Sequence, residues 1–218
     1  MFIGHFAVGL ASKRLAPQTN LAWLLAAPLF LDMLWPIFLL LGIEHASLVP
    51  NAPTPFLVLG LDDYPWSHSL LMALVWSAAM AVVYAAATRD RRGASVIAAG
   101  VFSHWVLDFV THRPDMQLAP GVGKEVGLGL WYSVVGTVAT EAAMFIVAVV
   151  LYLGVTRARG LAGKISIATL VGFLALAYVG SIFSPPPPSI EAVRVAGLAT
   201  WIILPWAWWI DRTRPAVA

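Results

Sequence analysis

The chain contains no cysteine. Disulfides and thiolate ligands are therefore excluded, and any bound metal must be held by nitrogen and oxygen. Charge is scarce too. Asp, Glu, Lys and Arg make up 11% of the 218 residues and the net charge is +2, whereas a soluble domain is about a quarter charged. No basic patch suited to nucleic acid is present. No internal repeat is visible, which weighs against an inverted-repeat transporter. No basic segment precedes the first apolar run, and Lys13 and Arg14 follow it, the reverse of a secretory signal.

Apolar sequence is abundant, at 60% of residues. Long apolar runs cover Leu21 to Ile43, Trp66 to Thr88, Gly93 to Thr111, Gly127 to Thr156, Ile165 to Ser184 and Val193 to Ile210. Each is long enough to cross a bilayer as a helix. They predict an all-α fold, a polytopic transmembrane helical bundle of about six spanning helices. Residues 2–16 read as a further short helix buried in the bundle, and residues 1–218 as a single integral membrane domain. Ten basic residues (Lys13, Arg14, Arg89, Arg91, Arg92, Arg157, Arg159, Lys164, Arg212 and Arg214) fall on one side of these spans. Only Arg113, Lys124 and Arg194 fall on the other. The positive-inside rule makes the first side, with the C-terminus, cytoplasmic. Residues 44–65 and 113–126, rich in Pro, Gly and Asp, read as irregular loops. Pro185 to Pro188 reads as an extended polyproline connector, and Trp206, Trp208 and Trp209 as an interfacial anchor.

Seven ionisable residues interrupt this apolar background at membrane depth: His5, Asp32, His68, His104, Asp108, His112 and Glu141. Such residues are costly in hydrocarbon and their default reading is functional. His and carboxylate are the ligands of zinc and related divalent ions. The segment Ser103-His104-Trp105-Val106-Leu107-Asp108-Phe109-Val110-Thr111-His112 sets His104, Asp108 and His112 one turn apart on one helix face. A lone intramembrane His can simply bond a neighbouring helix, but His104 with Asp108 at i+4 reads better as a ligand pair. Asp32 has no Lys or Arg at its depth to pair with. Glu141, the one charge in its span, can be a ligand, a general base or a partner that holds a His. His112 ends its helix, where capping is the competing role. Asp62 and Asp63 read as solvated loop charges.

The order of these pieces resembles the bacterial inner-membrane metal-dependent hydrolases of the YdjM type. The likeness rests on Gly4-His5, Asp32, Ser67-His68-Ser69, and Ser103-His104 through Asp108 to Thr111, all within residues 1–115. It implies metal ligands at His5, Asp32, His68, His104 and Asp108, and a place in the bacterial inner membrane. The pattern is more distantly similar to zinc-dependent phospholipase C. Two positions depart from the family pattern. Phe30 stands where the first Asp of Pro-Asp-x-Asp belongs, and Tyr64-Pro65-Trp66 stands where a further His precedes Thr-His-Ser. A two-metal site is thus reduced to one metal, or completed by His112 and Glu141.

The expected activity is hydrolysis by metal-activated water, with Zn2+ as the first choice and Mn2+ or Fe2+ as others. Glu141 or His112 would accept the proton. The expected partners are membrane lipids and a lipid-like or amphipathic substrate. Two rival readings remain: an ion or metal transporter, and a non-catalytic membrane protein with a structural metal.

Overall fold

A computed structural model describes residues 1–217 of the chain. The helices are α1 (Ile3–Leu15), α2 (Leu21–Leu40), α3 (Pro65–His68), α4 (Leu70–Thr88), α5 (Arg91–Thr111), α6 (Val134–Val155), α7 (Gly160–Phe183), α8 (Ile190–Ala199) and α9 (Ile203–Thr213). Two short antiparallel ladders join them, β1 (His45–Leu48) with β2 (Leu59–Asp63) and β3 (Met116–Gln117) with β4 (Glu125–Val126). Among the described residues, six helical segments are long and apolar enough to span a membrane: α2, α4, α5, α6, α7 and the run Ile190–Thr213 that joins α8 to α9 through one 3-10 turn. The two ends of the bundle differ. One carries the clustered arginines and is called the basic end below. The other carries both β-ladders and is called the loop end.

Local chemistry sets the boundaries. Asn20, Asp90 and Ser133 each cap a helix by accepting from a backbone N–H two or three residues on, as short polar side chains do at N-termini. Arg89 ends α4 in the left-handed conformation, φ 59°. The apolar run expected as one span from Trp66 is broken. Ser69 takes an extended backbone, φ −71° and ψ 154°, and its Oγ caps α4 at Met72 N (3.3 Å). Pro65 starts a single separate turn that ends at His68. The segments expected to be irregular, 44–65 and 113–126, each contain a small ladder, while Pro185 to Pro188 carry no helix.

The short helix α1 lies inside the bundle, packed on α2, α5 and α6. Phe6, Leu10, Leu24, Leu25, Tyr152 and Leu170 form the core around it. A second core joins α2, α4 and α5 through Ala27, Leu31, Ala73, Met80, Ile97 and Val101. Two glycines allow the helices to approach. A side chain at Gly9 would meet Leu25 Cδ2 at 2.6 Å and the Leu24 carbonyl at 2.8 Å. One at Gly100 would meet Ala27 Cβ at 2.9 Å. Gly100 lies one turn before His104 on the same face of α5, so this close approach brings His104 against α2. Lys13, expected among the cytoplasmic loop charges, is instead buried in the last turn of α1 and paired with Asp211 of α9.

Candidate metal centre

Four helical segments deliver the ionisable residues to one place near the loop end. α5 supplies His104 and Asp108, with His112 as its C-cap, where its N–H still donates to Asp108 O (2.7 Å). α2 supplies Asp32 from between two internal prolines, Pro28 and Pro36. The one-turn helix α3 supplies His68, and α1 supplies His5.

Asp108 is the hub. Its Oδ1 lies 3.1 Å from His5 Nε2 and forms an ion pair with the amino group of Met1. Its Oδ2 lies 2.9 Å from His104 Nε2, 3.8 Å from His112 Nε2 and 3.9 Å from His68 Nε2. Asp32 Oδ1 is 3.4 Å from His68 Nε2 and 3.7 Å from His104 Nε2. The two imidazole nitrogens His68 Nε2 and His104 Nε2 face each other at 3.2 Å. The His5 ring stacks on that of His104, with centroids 3.8 Å apart. Every ring is buried, whereas the Asp32 side chain is 42% exposed, into an adjoining cavity. That cavity, about 320 Å³, is lined by Asp32, His68, Asp108, His112, Trp131 and Glu141 among others.

Hydrogen bonds behind three of the rings fix their tautomers. His104 Nδ1 lies 2.7 Å from the Pro28 carbonyl oxygen, which can only accept, so Nδ1 carries the hydrogen. His112 Nδ1 lies 3.2 Å from Asp115 Oδ1 and donates to that carboxylate. His68 Nδ1 lies 2.6 Å from Ser67 Oγ, whose own hydroxyl donates to Glu44 Oε2 at 2.7 Å. Ser67 Oγ therefore accepts from His68. In all three rings Nδ1 points outward as a donor, and Nε2 points inward toward the carboxylates. Glu44 is buried and also accepts from Ser67 N at 2.7 Å. Burial pushes its carboxyl above the ordinary range, against the opposing pull of His68 and the Ser67 donors. Tyr64 donates to Asp115 at 3.1 Å. Burial, with the Asp115 and Asp108 carboxylates nearby, pushes its phenol well above the usual value and keeps it a donor.

Glu141 lies at the edge of the cluster. Its Oε2 accepts from Phe2 N (2.9 Å) and Gly4 N (3.0 Å), capping α1. Among the described residues its buried Oε1 has no partner, and the same holds for His5 Nδ1. No Lys or Arg of the described chain pairs with Asp32, Asp108 or Glu141.

All seven residues singled out in the sequence converge on this cluster or line its cavity. Asp62 and Asp63 are exposed, as expected of loop charges. Of the residues behind the rings, Ser67 stands in the Ser67-His68-Ser69 motif without a role of its own, and Glu44 and Asp115 carried little signal. Asp115 stands three residues after His112, and Ser67 directly precedes His68. Glu44 sits 23 residues from Ser67 in the chain, and nothing local marks it.

The fold and this cluster define a multi-pass helical membrane protein with a buried His-carboxylate centre at one end of its bundle. Residues 1–186 match the family described as YdjM inner membrane protein. The chain belongs to that family and is a multi-pass protein of the inner membrane. The match extends well past the motifs within residues 1–115, through α6 and α7. No curated protein and no solved structure matches the chain.

Proposed function

We propose that the protein is a membrane-embedded metal-dependent hydrolase acting on a lipid-like or amphipathic substrate. The observation that carries this reading is the His68–His104 pair. With each Nδ1 already a donor, the neutral rings turn two Nε2 lone pairs on each other at 3.2 Å, an approach that a cation between them relieves. A zinc-type ion is the cation these donors suit, since imidazole rings held by outward hydrogen bonds are the usual arrangement of metal-ligating His. Ligands 2.0–2.1 Å from a shared tetrahedral centre stand about 3.3 Å apart. The separation of His68 from His104, and those of each from Asp32 and from Asp108, run from 2.9 to 3.9 Å around that value. The buried carboxylates of Asp32, Asp108 and Glu141 have no Lys or Arg beside them, and the single Met1 amino group that pairs with Asp108 leaves their summed charge negative.

His68, His104, Asp32 and Asp108 would hold the ion, with His5 beside Asp108. When bound, a divalent ion supplies Lewis acidity, which lets water act as a nucleophile near neutral pH. The chain's own residues do the rest. Glu141 Oε1, buried and unpartnered at the cavity wall, accepts the proton that the attacking water gives up. His112 offers a second acceptor through Nε2, oriented by Asp115 and Tyr64. Trp131, with its ring 4.2 Å from that of His112, forms part of the cavity wall. We assign the loop end to the non-cytoplasmic side from the ten-to-three bias in basic residues.

Elemental analysis of the purified protein tests this. About one equivalent or more of a divalent metal is expected in the wild type, and less than a fifth of that in His104→Ala. Equal metal content in the two, or none in the wild type after growth with added zinc, manganese and iron, removes the metal and the hydrolase with it. A proton shared between His68 and His104 would then be what holds the pair together.

The hydrogen-bonded partners predict a graded effect. Ser67→Ala removes the acceptor that fixes the His68 tautomer and leaves Glu44 with the Ser67 backbone donor but without the hydroxyl. Metal affinity should fall roughly 10–100-fold, the range found when such an outer partner is lost. Titration against a chelating indicator measures it. An unchanged affinity would mean that Ser67 and Glu44 serve packing alone.

A further inference from the structure

We propose that a groove between α7 and α8 takes one hydrocarbon chain of a membrane lipid whose polar part reaches the metal centre. The inference rests on the reading of that centre as a lipid hydrolase and names how its substrate is held. The groove, about 490 Å³, is lined by Phe173, Ala177, Ala196, Ala199, Ile203 and Trp206 among others. Its size falls in the range of ligand pockets. It exists because α8 packs on α2, so α7 and α8 part, and because three alanines line the gap.

Two features join the groove to the metal centre. Phe2 is a wall of both cavities. Its ring lies 6.0 Å from that of Phe6 on the groove side and 6.1 Å from that of Tyr178. On α7, Phe173, Ala177 and Ser181 follow at i, i+4 and i+8 and share one face. Phe173 and Ala177 line the groove, and Ser181 lines the cavity that holds Asp32, His68 and Glu141. One helix face thus runs from an apolar trough to a polar pocket over about 12 Å. The occupant follows from the surroundings. The groove opens sideways midway along two spanning segments, Gly160–Phe183 and Ile190–Thr213, where the medium is acyl chain. A free polar solute has no reason to enter there, and a lipid needs only to slide sideways.

The test uses the whole protein in nanodiscs that contain a phospholipid with a diazirine midway along one acyl chain. After irradiation, labelled residues are mapped by mass spectrometry. Labelling at Phe173, Ala177 and Ala199 should exceed that at Val82 and Val83, exposed apolar residues of α4, by at least 3-fold. Ala177→Trp combined with Ala199→Trp should bring it to the α4 level while metal content stays at the wild-type value. Equal labelling of α4 and the groove in the wild type overturns the proposal, whether or not the double variant folds. Protein–protein cross-links from the groove in place of lipid also overturn it, because a second chain would then be the occupant. The same labelling in His104→Ala separates the two readings. Groove labelling that persists in a metal-free variant keeps the lipid site even if the hydrolase fails.

Discussion

Asp108→Asn should lose its metal almost completely while the protein remains folded. Asp108 is the one side chain whose two oxygens face opposite sides of the cluster, Oδ1 toward His5 and Oδ2 toward His104, His68 and His112. The amide keeps the shape and one acceptor oxygen but removes the charge. It also turns an NH2 group toward the imidazole nitrogens, where it donates to a lone pair that would otherwise bind the ion. Loss of an outer partner weakens a metal site roughly 10–100-fold. Loss of the charged hub should exceed the top of that range, so affinity should fall by more than about 100-fold. Any hydrolytic activity found for the wild type should fall at least as far. Glu141→Gln separates the two roles, because Glu141 accepts from α1 backbone and faces the cavity without bonding the imidazoles. Its metal content should stay near wild type while turnover drops by ~10²–10⁴-fold, the usual worth of a positioned proton acceptor. Asp108→Asn protein that retains a full equivalent of metal would show that the ion, if there is one, lies elsewhere.

The sequence made the centre legible to the extent that its geometry is local or its cost is visible. His104, Asp108 and His112 share a face because α-helical periodicity puts them there, and α5 runs as one helix through both motif residues. His5, Asp32 and Glu141 stood out because each interrupts an apolar segment, an expense the bilayer makes conspicuous. His68 was found, but not its setting. Hydropathy runs on through Ser67-His68-Ser69, while the backbone turns at Ser69, whose hydroxyl caps the next helix. The outer partners were hidden for a different reason. Glu44 follows a long apolar run and precedes a loop, where an acid is ordinarily solvated. Its burial comes from the docking of α3 against it, a tertiary event with no local pattern. Lys13 lies at the basic end, where the charge count grouped it, but it is buried and paired instead of solvated. The positive-inside bias counts a charge near a helix end as facing water, and it cannot see a carboxylate 198 residues away.

That pair sets up the second large effect. Lys13 Nζ donates to Thr19 O at 2.8 Å and to Asp211 Oδ1 at 2.5 Å. Asp211 also accepts from Asn20 Nδ2 (3.1 Å) and Leu21 N (3.2 Å), the cap and first residue of α2. One carboxylate on α9 therefore ties the end of α1 to the start of α2 at the basic end. The Lys13 side chain is 2% exposed and that of Asp211 18%, so removing either partner leaves charge with little access to water. Breaking a buried pair costs about 3–5 kcal/mol. Asp211→Ala should be the worse variant, because it strands a buried ammonium and two further donors. Lys13→Met leaves Asp211 with the Asn20 and Leu21 donors and some solvent, and should cost about 3 kcal/mol, the low end of that range. In thermal melts followed by tryptophan fluorescence this amounts to roughly 6–12 °C for a chain of this size. The double variant Lys13→Met with Asp211→Asn should regain most of the loss, since no charge then remains unpaired and the amide still accepts from α2. A Lys13→Met melt within about 1 °C of wild type would show the pair to be worth no more than a surface bridge. The consequence reaches the metal centre through a rigid element. His5 lies eight residues from Lys13 on α1, about 12 Å along the same helix. A loosened α1 should therefore give up His5, and the α1 backbone that Glu141 caps, before the bundle as a whole unfolds.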